Sequence, residues 1–159
     1  MNYRRFAMTA LLTTALAGCA TAPAPQSLAD VLAHNPSLST LSGLVAKAGL
    51  TAALKASGPL TVFAPTNEAF QAVPAKTLED LAKHPDQLKA VLAYHVLPAR
   101  ILSADVRPGK VKSLQGSELA LAKAGEFVTV EEAVVLQPDG AASNGVVHTV
   151  DRVLMPPKR

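Results

Sequence analysis

The sequence predicts an α+β fold, with helices first and hairpins second. Three observations carry this. Between residues 27 and 93, apolar residues recur at helical spacing in short runs broken by Pro36, Gly49, Pro59 and Pro74. Between residues 110 and 137 the pattern changes to an alternation of two, punctuated by Gln115-Gly116 and Ala124-Gly125. The chain then ends on Asn144-Gly-Val-Val-His-Thr-Val-Asp-Arg-Val-Leu-Met-Pro-Pro157, mostly apolar on both alternating faces. Such a strand belongs inside a sheet, covered on both sides, rather than at a wet edge. Helices segregated from hairpins argue against alternating βαβ units.

Taken in order, Met1 to Gly18 has the parts of a secretory signal. Arg4 and Arg5 form the positive region, and Phe6 to Leu16 form an apolar core too short for a bilayer of roughly 30 Å. Leu16-Ala17-Gly18-Cys19 resembles the bacterial lipobox, in which the cysteine thiol takes a diacylglyceryl group and becomes the new N-terminus. Cys19 is the only cysteine, so an intrachain disulfide, a CxxC redox pair and a cysteine-cluster metal site are all excluded. The expectation is an exported protein held to the membrane by lipid on Cys19. Ala20 lacks the aspartate that resembles an inner-membrane retention signal, which favours the outer membrane where there are two. Residues 19–26 form a lipidated cysteine and a Pro/Ala tether of extended backbone, able to lift the domain by roughly 20 Å.

Residues 27–157 form one domain of a size that is stable without disulfides or metals. Ser27 is a helix N-cap for the run to His34, with Asp30 in the first turn. Ser37 or Ser39 can cap the next helix, which Gly49 ends. Thr51 to Ala56 is a third short helix. Leu60 to Pro65 is a buried strand. Thr66 or Asn67 caps the helix containing Glu68 and Phe70. Thr77 caps Leu78 to Lys83, and Asp86 starts Gln87 to Ala93. Strands follow at Lys110–Leu114, Glu118–Ala122, Phe127–Glu131 and Ala133–Gln137. Asp139-Gly140 reads as a loop, and Asn144-Gly145 as a tight turn using positive φ.

Charge and motif content exclude several functions. Arg4 and Arg5 account for two of the 15 basic residues, leaving 13 against 12 acids, a net of +1. With no basic cluster interleaved with aromatics, nucleic-acid binding is not expected. His34, His84, His95 and His148 lack metal-ligand spacing, and no glycine-rich phosphate loop exists, so no metal or cofactor is expected. A Ser143, His148, Asp151 set lacks the Gly-x-Ser-x-Gly elbow, and His148 and Asp151 fall on opposite strand faces. Hydrolysis is therefore disfavoured, and no catalytic residue is assigned. Glu131 and Glu132 read as a solvated rim.

Three stretches then resemble the boxes of fasciclin-like domains. Thr61-Val-Phe63-Ala-Pro65-Thr66-Asn67-Glu-Ala-Phe70 is similar to the first box, Tyr94-His95-Val-Leu-Pro98 to the central Tyr-His motif, and Asn144-Gly145-Val-Val-His148-Thr-Val-Asp151 onward to the second box. Position 67 is often Asp in that family. The resemblance implies a wedge-like β-sandwich of about seven strands, with the helical N-terminal half on its side and edge. It also implies a non-enzymatic adhesion or matrix-binding role. Animal members carry receptor-binding segments near the Tyr-His motif, which Ala99, Arg100 and Ile101 do not reproduce. The motif residues are read as structural: a buried polar group without a partner costs about 1–3 kcal/mol, so Asn67, His95 and Asp151 should join separate elements. His95 is expected to link the Thr66–Asn67 cap to the strand core. The alternative function is binding a lipid or metabolite in a groove between helices and sheet.

Overall fold

The computed structural model describes residues 26–56 and 58–157. The leader, Cys19 and most of the tether lie outside the described residues. In chain order the elements are α1 (Leu28–His34), a 3-10 turn (Pro36–Leu38), α2 (Ser39–Lys47), α3 (Thr51–Lys55), β1 (Leu60–Pro65), α4 (Asn67–Gln71), α5 (Ala75–Lys83) and α6 (Pro85–Tyr94). The strands β2 (Val96–Leu97), β3 (Gly109–Lys112), β4 (Glu118–Ala124), β5 (Phe127–Val130), β6 (Ala133–Ala142) and β7 (Gly145–Val150) follow. This is the α+β architecture expected from the change of period.

The seven strands form one sheet in the order β2-β1-β7-β6-β5-β4-β3. Only β1 and β7 are parallel; the other neighbours are antiparallel. Leu114 N–H donates to Val96 O at 2.7 Å, joining the chain just after β3 to β2 at the far end of the order. The sheet therefore curls on itself into a near-barrel, which is how the expected sandwich of about seven strands is realised. All six residues of β7 are buried, as its two apolar faces required.

Alternation along β1 and β7 divides the interior in two. Val62, Ala64 and Val147 pack under the helices with Leu28, Leu32, Leu41, Phe70 and Leu92. Phe63 and Val150 point the other way, into the curl of the sheet, with Leu97, Leu119, Leu121 and Val130.

The chain corrects several expectations. The last strand stops at Val150, not at the prolines, because the Asp151 carboxylate accepts the Val134 N–H at 2.7 Å and the chain bends at Asp151–Arg152. Asp139-Gly140 is not a loop: β6 runs through it with two register shifts, and Asp139 takes φ 60°. The Asp-Gly signal for left-handed backbone here marks a β-bulge. Gly145 does not supply positive φ; a Cβ there would lie 2.1 Å from the Leu60 carbonyl oxygen, so glycine is needed for close approach of β7 to β1. Thr77 is not a cap, since α5 begins at Ala75 after Pro74; α6 begins at Pro85 and runs through Tyr94. β5 ends at Val130 because Glu131 has φ 54°.

Candidate functional site: a stapled surface loop

The motif residues do not converge on one cavity. The polar ones, the local cap Thr66 apart, tie distant backbone together. Asn144 accepts the Leu28 N–H at 2.9 Å and donates to Leu54 O and Ala56 O at 2.7 and 3.0 Å, fastening α1 and α3 to the β6–β7 turn. Ser27 caps α1 reciprocally with Asp30; the hydrogen bonds from Ser27 hold the Asp30 carboxyl below its ordinary pKa. Thr66 caps α4 through Ala69 N–H, whereas Asn67 reaches elsewhere. Its Oδ1 accepts the Thr40 N–H at 3.0 Å, and its Nδ2 donates to Pro36 O at 2.9 Å. Asn67 thus caps α2 from 27 positions away, and neither Ser37 nor Ser39 does so. Pro65 closes β1 opposite Val150.

His95 corrects another expectation. It does not reach the Thr66–Asn67 cap. Its Nδ1–H donates to Val91 O at 2.7 Å, and its Nε2 accepts the Leu154 N–H at 2.9 Å, holding the C-terminal segment against α6. His148 adopts the opposite tautomer: Nε2–H donates to Ile101 O at 2.8 Å, and Nδ1 accepts the Asp139 N–H at 3.2 Å. Its ring stacks on Phe63. Burial pushes the His95 pKa down to about 4, and burial likewise lowers His148. Both rings are neutral at pH 7, with both nitrogens of each committed to backbone. Tyr94 donates its hydroxyl to Glu118 O at 3.1 Å, and burial followed by the Glu131 carboxylate pushes it up to about 12. Glu131 is more than a solvated rim, since its Oε1 accepts the Ala120 N–H at 2.8 Å.

The segment Pro98 to Val106 is where these bonds concentrate on the surface. Thr61 Oγ1 donates to Ala99 O at 2.6 Å and accepts the Ile101 N–H at 2.9 Å. His148 holds the Ile101 carbonyl. Asp139 accepts both the N–H and the hydroxyl of Ser103. Lys123 donates to Ser103 O at 2.9 Å and to Ala104 O at 3.3 Å. Burial raises the Asp139 pKa, but the two Ser103 hydrogen bonds, with His148 and Lys123 nearby, outweigh it and bring it down. Four strands, β1, β4, β6 and β7, therefore fix one loop, and Val106 is buried at its far end. Pro98, Arg100 and Asp105 face solvent from it.

Sequence reasoning missed Ser103, Lys123 and Asp139 as loop anchors. The one local signal was Asp139-Gly140, which named the backbone conformation without the partner. Ser143, His148 and Asp151 form no chain of bonds: Ser143 N–H donates to Gln26 O, and the other two are engaged as above. Among the described residues no group of His, Cys, Asp or Glu could hold a metal ion.

A helix-covered, curled seven-stranded sheet, with its motif polar residues spent on fixing backbone, defines an α+β scaffold of the fasciclin type. The chain belongs to the fasciclin family: residues 36–156 match the Fasciclin domain. It is 45% identical over 133 residues to Protein sll1483 of Synechocystis, covering 82% of this chain and 74% of that protein. It is 34% identical over 135 residues to immunogenic protein MPB70 of Mycobacterium bovis, covering 82% and 69%. Against the pig transforming growth factor-beta-induced protein ig-h3, from Sus scrofa, identity is 40% over 136 residues, covering 85% of this chain but only 20% of that much longer protein. The fold matches a domain pair from the insect cell adhesion molecule Fasciclin I with a TM-score of 0.68 at 16% identity, covering 82% of this chain and 51% of that one.

Proposed function

We propose that this is a non-enzymatic binding module, anchored at the cell envelope by lipid on Cys19, that attaches to a protein or matrix polymer through the Pro98–Val106 loop. The observation that carries the reading is the loop itself. Its backbone is fixed by side chains from four strands, while Arg100 is left free to solvent. Loops positioned by a rigid scaffold carry binding disproportionately, and a loop ordered before contact avoids the entropy cost of ordering on binding. The Fasciclin I likeness supports adhesion as the general kind. Both nitrogens of His95 and of His148 are bonded to backbone, so neither motif histidine is placed as a general base.

The test coats beads with the full chain carrying Cys19→Ala and measures attachment to the source cells. Arg100→Glu should reduce attachment about fivefold or more, as loss of a contact residue does, with an unchanged melting curve. Equal attachment by the two proteins would remove the loop from the interface. The anchor is tested separately. Cys19→Ala should move the protein from the membrane to the soluble fraction, because two or three acyl chains hold durably where protein contacts alone do not. Among the described residues no helix is long and apolar enough to cross a membrane.

A further inference from the structure

Helix α5 is the one α-helix among the described residues that buries no side chain. Its sequence nevertheless builds an apolar face: Leu78 and Leu81 point inward and are only half-buried. Under them lies a cleft of about 270 Å³, floored by Leu44 of α2, Phe70 of α4 and Leu88 and Leu92 of α6. A second, open groove undercuts α5 on its other side, between Thr77, Asp80 and the Asp151–Pro157 segment. The helix is thus held mainly along α6, and prolines flank it, Pro74 at its N-cap and Pro85 at the first position of α6. Each proline stands at a helix start, where it fixes φ and has no helical hydrogen bond to lose, so α5 is a separate segment with a helix boundary at either end.

The lining says what would fit. An enclosed apolar cavity of about 150 Å³ takes up benzene; this cleft is larger, open at one side, and its surface is mostly apolar. Its few polar groups are Thr40, Glu79 at the rim and His95, and both His95 nitrogens are already bonded. No lysine or arginine lines it. A carboxylate would enter without a cation to pair with and would meet Glu79, so an acid is disfavoured. We propose that α5 is a hinged roof over a binding cleft for one neutral lipophile of medium alkyl length, such as a medium-chain alcohol. The helix swings away from Phe70 and Leu44 to admit the chain and closes Leu78 and Leu81 over it. This goes beyond the adhesion reading and does not depend on it.

The test uses the full chain carrying Cys19→Ala, so that no acyl anchor competes for the cleft. N-phenyl-1-naphthylamine fluorescence is titrated and then displaced with 1-decanol. Decanol should displace the probe saturably at one site in the micromolar range, with decanoate at pH 7 about tenfold weaker or worse. Ala82→Phe, which adds bulk to the α5 lining from an exposed position, should weaken decanol binding by about tenfold with an unchanged melting curve. Failure of displacement, equal binding of decanoate, or wild-type affinity in a folded Ala82→Phe would each overturn the proposal. Should that variant misfold, methyl NMR on the parent decides. Decanol must shift the Leu44, Leu88 and Leu92 methyls, and shifts confined to other leucines would place the site elsewhere.

Discussion

The two sides of the β1–β7 pair are packed to different standards. Inside the curl, Phe63, Leu97, Leu119, Val130 and Val150 come from five strands and are almost completely buried. Under the helices, the inner layer of Leu28, Leu32, Leu38 and Leu41 is equally tight, but α5 beyond it buries nothing and leaves a cleft. The difference follows from geometry. A sheet that bends back on itself surrounds its interior with alternating side chains on strands bonded to one another. Short helices of five to ten residues touch the sheet through one stripe each, and the outermost of them has other helices, not a strand, as its floor. Both inner layers are well packed, and the outer helical rim at α5 is where the packing is loosest.

The largest effect that tests this contrast comes from paired truncations. Phe63→Ala removes a fully buried ring and its stacking on His148, and should cost about 3–5 kcal/mol. Leu78→Ala on α5 should cost ~1 kcal/mol, since that side chain is only half-covered. Urea unfolding of the two variants gives the ratio directly. Equal losses would mean that α5 is as well packed as the sheet, and the contrast would fail.

The second effect is pH dependence, which asks how the two histidines secure their regions. Unfolded histidine titrates near ~6.5, whereas burial lowers folded His95 to about 4. Between those values the unfolded chain binds the extra proton, so stability is full above pH ~6.5 and falls as pH drops towards 4. His95 alone accounts for on the order of 3 kcal/mol, and His148, also lowered by burial, acts in the same direction. Protonating His95 at Nε2 would also break the Leu154 bond and release the C-terminal segment from α6. Chemical denaturation at pH 7 and pH 4.5 should show the loss, and His95→Gln should show about half of it or less. A flat profile in the parent would contradict neutral, bonded imidazoles.

The smallest effect lies within the helical side, at Asn67, which ties the start of α4 to that of α2. Asn67→Ala removes the cap on α2 and should cost about 1–2 kcal/mol. Asn67→Asp keeps an acceptor for the Thr40 N–H and gains a favourable charge at a helix N-terminus, but loses the donor to Pro36 O. It should cost ~0.5 kcal/mol or less, which fits the frequent aspartate at this place in fasciclin-like domains. Thermal melts of the two variants would separate these outcomes; an Asp variant as damaged as the Ala variant would make the Nδ2 bond the dominant one.

Much of the fold could be read locally. Ser27 and Asp30, Gly49, and the strand of residues 60–65 stand as their residue types require. The burial of both faces of β7 followed from its valines. Reading failed where a side chain acted at a distance. Asp151 ended β7 by taking the Val134 N–H, and Asn67 replaced the serines expected to cap α2. The candidate loop was the least legible part, because Thr61, Lys123, Asp139 and His148 reach it from 19 to 47 positions away.

By itself the sequence determined where most helices and strands lie, that both faces of the last strand turn inward, and that its polar motif residues need partners. Those are consequences of backbone preference and hydrophobic period, which act over a few residues. Tertiary structure alone decided who the partners are, where the bulge in β6 falls, that Leu114 meets Val96 to curl the sheet, and that α5 stands over open space. A hydrogen bond such as that of Leu28 to Asn144, 116 positions apart, exists only once the whole chain has brought its ends together, and no local pattern encodes it.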